Sequence, residues 1–370
     1  MSKVIHIAGR AIGLEKPVFI VAELSASHHH RYDQAVRLIE AAKQAGADAV
    51  KLQTYTPDTI TLRSTAEPFQ IRGGTLWDGR TLHDLYQEAF MPWEWQPRLK
   101  QVAEQLGLIL FSSAFDSTAI DFLERMGVPA HKVASPELVD IPLIEAMART
   151  GKPLLISTGM ATLDEITEAV KAARGAGARE IALLKCTSAY PAPPEEMNLR
   201  TIPDLARRFE MPVGLSDHTR EHTVAVAAVA CGAAIIEKHL VLSRSDVGPD
   251  TAFSLEPQEF ARMVEAIRIA ERALGEARYG VCREESKSRR FRRSLFVVAD
   301  VKAGETFTVA NLRSIRPADG LHPRHLPEVL GRRASTDIAA GTPLGWAMVA
   351  NASPSVTTQP ARCETHKVNR

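Results

Sequence analysis

Residues 211–240 read MPVGLSDHTREHTVAVAAVACGAAIIEKHL, and this stretch decides the fold. A short apolar run, Val213-Gly214-Leu215, closes on Asp217-His218-Thr219. A second, Ala233-Ala234-Ile235-Ile236, closes on Glu237-Lys238-His239. The spacing predicts a buried strand, a covering helix and a second buried strand. Each strand ends in a histidine beside a carboxylate. A neutral imidazole is a good ligand for a divalent transition metal, and closed α/β scaffolds place their chemistry at strand ends. One such histidine is commonly structural. The pair gains weight because nearly every earlier strand also ends in a polar residue.

The same alternation extends outward from this stretch. Strand-like runs fall at 18–23, 47–54, 108–115, 130–135, 153–158, 181–187, 212–217 and 234–240. Between them lie segments with apolar residues at helical spacing, such as Ala35, Leu38, Ile39 and Ala42. Near-continuous apolar strands alternating with amphipathic helices imply a parallel sheet covered by helices. Eight units over about 250 residues predict a (β/α)8 TIM barrel in the α/β class. No Gly-x-Gly-x-x-Gly follows the first strand, which speaks against a dinucleotide site. The second unit carries a long insertion with Trp77, Trp93 and Trp95, read either as a functional loop or as a surface excursion packed by its tryptophans. After the barrel domain (1–275) come a charged linker (276–293), a small β-rich module (294–350) and a polar segment (351–370) expected to be a disordered tail.

Bulk numbers agree. The 370 residues are 45% hydrophobic and 24% charged, with a formal net charge of +1, which gives no support to a nucleic-acid binder. Four scattered cysteines, Cys186, Cys231, Cys282 and Cys363, suggest a reducing compartment. Residues 1–13 show no signal-peptide pattern, and the apolar stretch 224–236 is too short to span a bilayer. The expectation is a cytoplasmic protein that does not enter membranes.

Residues near the strand ends form a polar ring. Glu23 ends the first strand. Lys51 and Gln53, two apart, share one face of the second. Lys132, with the hydroxyls of Ser113, Ser135, Ser157 and Ser188, suits a phosphate or a phosphate-plus-carboxylate ligand. The alternative is a set of lysine–carboxylate pairs filling a polar barrel mouth. His218 and His239 are candidate ligands of one metal ion, joined directly or through water by Glu137. Metals in such sites act as Lewis acids toward a carbonyl oxygen. Glu23 and Glu237 are then free for acid–base work. His28-His29-His30 reads as a solvated loop. The basic cluster Lys287, Arg289, Arg290, Arg292 and Arg293 reads as a solvated linker or as an electrostatic funnel for anionic ligands.

Several strings resemble the sialic acid synthase family: Val21-Ala22-Glu23-Leu24-Ser25-Ala26, Asp48-Ala49-Val50-Lys51-Leu52-Gln53-Thr54, Ile156-Ser157-Thr158-Gly159-Met160, Cys186-Thr187-Ser188-Ala189-Tyr190-Pro191 and Glu237-Lys238-His239. The C-terminal module, with Gly304-Glu305 and Arg316-Pro317, is similar to that family's antifreeze-like (SAF, β-clip) domain. The insertion strings Gly74-Thr75-Leu76-Trp77-Asp78-Gly79 and Pro92-Trp93-Glu94-Trp95 resemble the pseudaminic acid synthase branch. This chain departs from the family at Ser27 to Arg31, where an Asn and a Gly-containing turn are usual.

The resemblance implies condensation of phosphoenolpyruvate with an open-chain 2,4-diacetamido-2,4,6-trideoxy hexose of altrose type. The products are pseudaminic acid and phosphate. The alternative is N-acetylneuraminate or legionaminate synthesis from a mannosamine-type sugar. It further implies phosphoenolpyruvate on Lys51, Ser113, Lys132, Ser135, Ser157 and Ser188, and sugar on Gln53, Tyr190 and Asp250. It implies a metal, typically Mn2+ with Mg2+ or Co2+ as alternatives, on His218 and His239. Arg316 is implied to reach a partner's barrel in a domain-swapped homodimer. Two other classes share parts of this pattern. A metal-dependent aldolase or hydrolase needs neither two strand-end lysines nor the C-terminal module, and an ice-interacting binder leaves the charged barrel without a purpose.

Overall fold

The computed structural model describes residues 4–350. The expected tail at 351–370, with Cys363, lies outside the described residues. The chain divides into two compact units at Gly275.

The first unit opens with a hairpin that sequence reading did not anticipate. Strand β1 (Ile5–Ile7) pairs antiparallel with β2 (Arg10–Ile12). Ile5, Ile7 and Ile12 are buried among Phe19, Phe111, Leu155 and Ile235. They plug the N-terminal end of the barrel, and each such burial is worth roughly 2 kcal/mol. Three-residue strands fall below the length at which periodicity can be recognised. Arg10 and Arg268 both donate to the Asp48 carboxylate, which ties the hairpin and the last barrel helix to one strand start.

Eight parallel strands follow: β3 (Phe19–Glu23), β4 (Ala49–Thr54), β5 (Ile109–Ala114), β6 (His131–Val133), β7 (Leu154–Ser157), β8 (Ile181–Cys186), β9 (Val213–Asp217) and β10 (Ile235–His239). They close in the order β10-β3-β4-β5-β6-β7-β8-β9. This is the closed barrel that the alternation predicts. The covering helices are α1 (Tyr32–Gln44), α2 (Pro57–Ile60), α3 (Leu82–Ala89), α4 (Gln96–Gln105), α5 (Ser117–Met126), α6 (Ile141–Arg149), α7 (Leu163–Gly175), α8 (Thr201–Phe209), α9 (Thr223–Ala230) and α10 (Pro257–Leu274). Local chemistry sets their limits. Asp116 caps α5 by accepting from the amides of Thr118 and Ala119, and Gly127 ends it at φ +70°, a left-handed conformation that favours glycine.

Strand parity separates the interior from the helix-facing layer. On β4, Ala49, Lys51 and Gln53 face inward, while Val50 and Leu52 pack against helices. Gly214 on β9 faces inward where space is short, since a Cβ there would sit 2.6 Å from the Ile235 Cβ. Parity also turns two strand-end charges away from the cavity. Asp217 turns outward and pairs with Lys238 at 2.8 Å, both fully buried. Lys185 turns outward and donates to the Cys186 carbonyl and the Thr187 hydroxyl.

In the second unit, β11 (Ser294–Val297) pairs antiparallel with β12 (Leu312–Ile315), and single bridges such as Val301–Ile338 extend the pairing. Leu295, Val297, Phe307, Leu312 and Leu344 form its own core. Residues 276–293 are exposed throughout.

Candidate active site

At the C-terminal ends of the strands lies a cavity of about 450 Å³. Its polar floor follows from register. His239 on β10 is the Cα partner of Glu23 on β3, and Glu23 is the partner of Lys51 on β4. Lys51 forms an ion pair with Glu23 and lies 3.6 Å from Glu237. Lys132 is 4.0 Å from the same Glu237 oxygen and donates to the Ser157 hydroxyl at 2.7 Å.

These four groups divide electrostatically. Burial pulls the Lys51 ammonium down, but Glu23 and Glu237 together outweigh it and leave it raised. Burial lowers Lys132, and Glu237 offsets only part of that. Burial raises Glu23, with Lys51 opposing and Glu237 adding to the rise. Glu237 is pushed up by burial but pulled lower still by Lys132, Lys51 and His218. The two carboxylates are therefore driven apart, with Glu237 held ionised and Glu23 poised for proton exchange. A buried ammonium only partly balanced by its carboxylate is costly, so Lys132 is the cation that an incoming anion would relieve.

Beside Lys132 is a hydroxyl cradle. Ser135 Oγ accepts from the Gly159 amide at 3.0 Å, and the Ser188 hydroxyl approaches the same glycine. A Cβ on Gly159 would sit 2.7 Å from Ser135 Oγ and fill this space. Ser113 Oγ accepts from Lys51 at 3.2 Å.

Across the cavity, the His218 and His239 rings lie 5.4 Å apart between centroids, with Phe253 packed on His239 at 4.9 Å and Tyr190 on His218 at 4.4 Å. His218 Nδ1 meets the Thr187 carbonyl at 3.1 Å, which leaves its Nε2 as the free ring nitrogen. His239 Nδ1 is buried without a hydrogen-bond partner, and burial holds that imidazole well below its ordinary range, as the neutral form. Burial lowers His218, but the Cys186 thiol and the Thr187 carbonyl outweigh it and raise its proton affinity. The neutral His239 ring and the unbonded Nε2 of His218 are donors of the kind that hold a divalent cation. Among the described residues, no three His, Cys, Asp or Glu side chains gather into a metal cluster. Glu137 lines the same cavity without joining the two histidines in such a set, and burial pushes its carboxyl up to about 7.

The outer wall is less polar. Leu85, Tyr86 and Ala89 of α3 line it with Tyr55, Ile60, Trp77 and Phe115. Trp77 Nε1 donates to the Pro249 carbonyl at 3.1 Å, so the insertion reaches across the mouth. Of its tryptophans, Trp77 lines the cavity while Trp93 and Trp95 pack against the barrel core.

The structure brings Glu23, Lys51, Gln53, Lys132, Ser135, Glu137, Ser157, Tyr190, His218, Glu237, His239 and Asp250 to one cavity. Ser113 and Ser188 stand immediately behind it. Arg316, exposed just after β12, belongs to the second unit. His28 corrects the expectation of a solvated loop: it is fully buried, and only His30 of the three histidines is exposed. Sequence reasoning missed Ser25 as a site residue. Its hydroxyl accepts from Gln53 Nε2 at 2.9 Å and bonds Asp250. This serine lies past the end of β3 at φ +38°, where the strand period gives no signal. Tyr55 and Tyr86 were missed because nothing local distinguishes a wall residue from a packed aromatic.

The chain matches the NeuB family model over residues 38–279 and the SAF domain model over 292–350. It is 44% identical over 330 residues to the pseudaminic acid synthase of Campylobacter jejuni strain 81-176, covering 89% of this chain and 96% of that one. It is 34% identical over 339 residues to the N,N'-diacetyllegionaminic acid synthase of Legionella pneumophila, covering 90% and 95%. The crystal structure of an N-acetylneuraminic acid synthetase from Leptospira borgpetersenii, in complex with citrate, superposes with a TM-score of 0.69 at 30% identity, covering 78% of this chain and 95% of that one.

Proposed function

The chain belongs to the NeuB family, and from that premise we propose that it is a pseudaminic acid synthase. It joins phosphoenolpyruvate to an open-chain 2,4-diacetamido-2,4,6-trideoxy hexose and releases phosphate. Identity favours this branch over the legionaminate alternative, 44% against 34%. The observation that carries the reading is one cavity holding an ammonium-and-hydroxyl cradle opposite two imidazoles.

Lys132, Ser157, Ser135 and the Gly159 amide side of the cradle receive the phosphate, and Lys51 with Ser113 receives the carboxylate. Gln53, Asp250 and Tyr190 orient the sugar. His218 and His239 would hold a divalent cation, Mn2+ with Mg2+ or Co2+ as alternatives, which when bound supplies Lewis-acid polarisation of the sugar carbonyl. The reaction forms a bond from C3 of phosphoenolpyruvate to the sugar aldehyde carbon. Positive charge develops at C2, where ionised Glu237 stabilises it. Glu23 takes a proton from the water that adds at C2. The proton that Glu23 takes is matched by the one the former aldehyde oxygen gains as it becomes a hydroxyl, and the tetrahedral centre expels phosphate by C–O cleavage as its new hydroxyl loses its proton to become the C2 carbonyl.

The protein is further proposed to work as a homodimer in the cytoplasm, with Arg316 serving the barrel of the partner. Three observations support this: Arg316 is exposed, the described cysteines are free, and no helix among the described residues is long and apolar enough to cross a membrane. Mixing inactive His218→Ala with inactive Arg316→Ala tests the exchange, since a swapped dimer regains about a quarter of the activity and an unswapped one regains none.

The reaction itself is tested by incubating the protein with phosphoenolpyruvate, Mn2+ and, in parallel, N-acetylmannosamine or the diacetamido-trideoxy altrose. Mass spectrometry of the products decides. A nonulosonate from the altrose sugar is expected, and product from N-acetylmannosamine alone contradicts the branch.

A further inference from the structure

The His28-His29-His30 turn after β3 has no part in the chemistry above, yet the backbone is bent to make it. His29 and His30 sit at φ +48° and +52°, in the left-handed region. Histidine tolerates that region better than most residues, and such conformations persist where surrounding contacts hold them. The bend sends two imidazoles to one place, the C-terminal end of α3. His30 Nε2 lies 3.1 Å from the Gln87 carbonyl, and its ring packs on Phe90 at 4.9 Å. His28 Nδ1 accepts from the His30 amide at 3.0 Å, which leaves the proton on Nε2. The His28 ring lies against the backbone of Ala89, packs edge-on to Trp95 at 5.9 Å and to His30 at 5.6 Å, and its Nε2 makes no hydrogen bond, so it backs His30 rather than donating to the helix. Carbonyls in the last turn of a helix have no partner within the helix. His30 supplies a donor to one of them, the Gln87 carbonyl, and anchors that end. On the other side of the turn, a Cβ on Gly248 would sit 2.7 Å from the His29 ring, so this glycine lets the loop before Asp250 close against it.

The helix so anchored matters to the cavity, because Leu85, Tyr86 and Ala89 form its wall. At its other end, His83 pairs with Asp58 at 3.0 Å. We propose that His28 and His30 are positioning residues, a clasp that fixes α3 and with it the apolar wall against which the sugar docks. The methyl groups of an acetamido, 6-deoxy sugar are the part of the substrate that such a wall recognises. The identity of that sugar rests on the function proposed above; the clasp does not.

The test compares His30→Ala and His30→Gln in the full chain with wild type. Glutamine keeps a donor at nearly the reach of Nε2. In steady state with Mn2+, His30→Ala is expected to raise KM for the sugar about tenfold, to leave KM for phosphoenolpyruvate within twofold, and His30→Gln to restore the wild-type value. Hydrogen–deuterium exchange without substrates is expected to quicken at amides 86–90 in His30→Ala and to stay unchanged in the barrel strands. If His30→Ala does not fold, His30→Leu, which keeps the Phe90 contact but has no donor, replaces it. Unchanged exchange at 86–90 overturns the clasp, and equal rises in both KM values overturn its link to the sugar. If wild type turns over neither sugar, the function reading fails while the exchange result still decides the clasp.

Discussion

Lys51 and Glu23 are Cα partners on adjacent barrel strands, and their side chains pair at the cavity floor with 5% and 1% of their surface exposed. A buried pair this dry is sensitive to losing one member. Removing one partner of such a pair typically costs roughly 3–5 kcal/mol, because the other charge stays buried and uncompensated. Lys51→Met is expected to destabilise by about that much, and Lys51→Met with Glu23→Gln to recover most of it. Urea unfolding measures both. Turnover stays lost in both, so equal stability of the single and double variants would show that the pair is not coupled.

The two imidazoles make a separable prediction. His218→Ala and His239→Ala are each expected to lower turnover about a thousandfold, or ~4 kcal/mol of barrier. Electron paramagnetic resonance of bound Mn2+ gives a readout independent of activity. Retention of the wild-type bound signal in either variant would remove that histidine from the ligand set.

The hydroxyl cradle is tested by crowding it. Gly159→Ala places a methyl against Ser188 Oγ and 2.7 Å from Ser135 Oγ, so both hydroxyls must shift. KM for phosphoenolpyruvate is expected to rise, as it is in Lys132→Ala, where loss of a charge-assisted contact of roughly 1.5–3 kcal/mol predicts ten- to a hundredfold. Sugar KM moves less than twofold in both. Steady-state kinetics in each substrate checks this, and a larger effect on the sugar would reverse the assignment of the two ends of the cavity.

Acid is expected to loosen the fold through His28. Burial, with the charges of His30 and His29, holds its imidazole down to about 3, against 6.5 in the unfolded chain. The unfolded chain therefore takes up this proton first as pH falls. The contribution is intact above pH 6.5 and is lost progressively toward pH 3, reaching about 2 kcal/mol at pH 5. His28→Gln is expected to flatten the stability profile between pH 6.5 and 5, measured by urea unfolding. Identical slopes in the two proteins would mean that His28 titrates normally.

The histidine turn marks a limit of sequence reading. His28 buries beneath α3 only because a left-handed bend aims it there, and no composition rule distinguishes that bend from a solvated loop. The N-terminal hairpin was missed because three-residue strands carry too few alternations to register. The eight barrel strands were legible because each is a run of apolar residues bounded by helix punctuation, as at Gly127 before β6. Ser25 lies past the end of β3 at φ +38°, where the two-residue period no longer holds, so only the turn after the strand brings it to the cavity.

The amino-acid order alone determined the number of barrel strands, their direction and the residue types available at their ends, since these follow from local periodicity and turn chemistry. Only closure of the barrel decided which of those residues meet. A shift of one residue turns a side chain from cavity to helix layer, as it does for Asp217 and Lys238, and that parity depends on neighbours distant in the chain. Convergence of Lys51, Glu237, His218 and His239 is thus a long-range property, and the proton preferences of Glu23 and Glu237 exist only once burial and neighbouring cations act together.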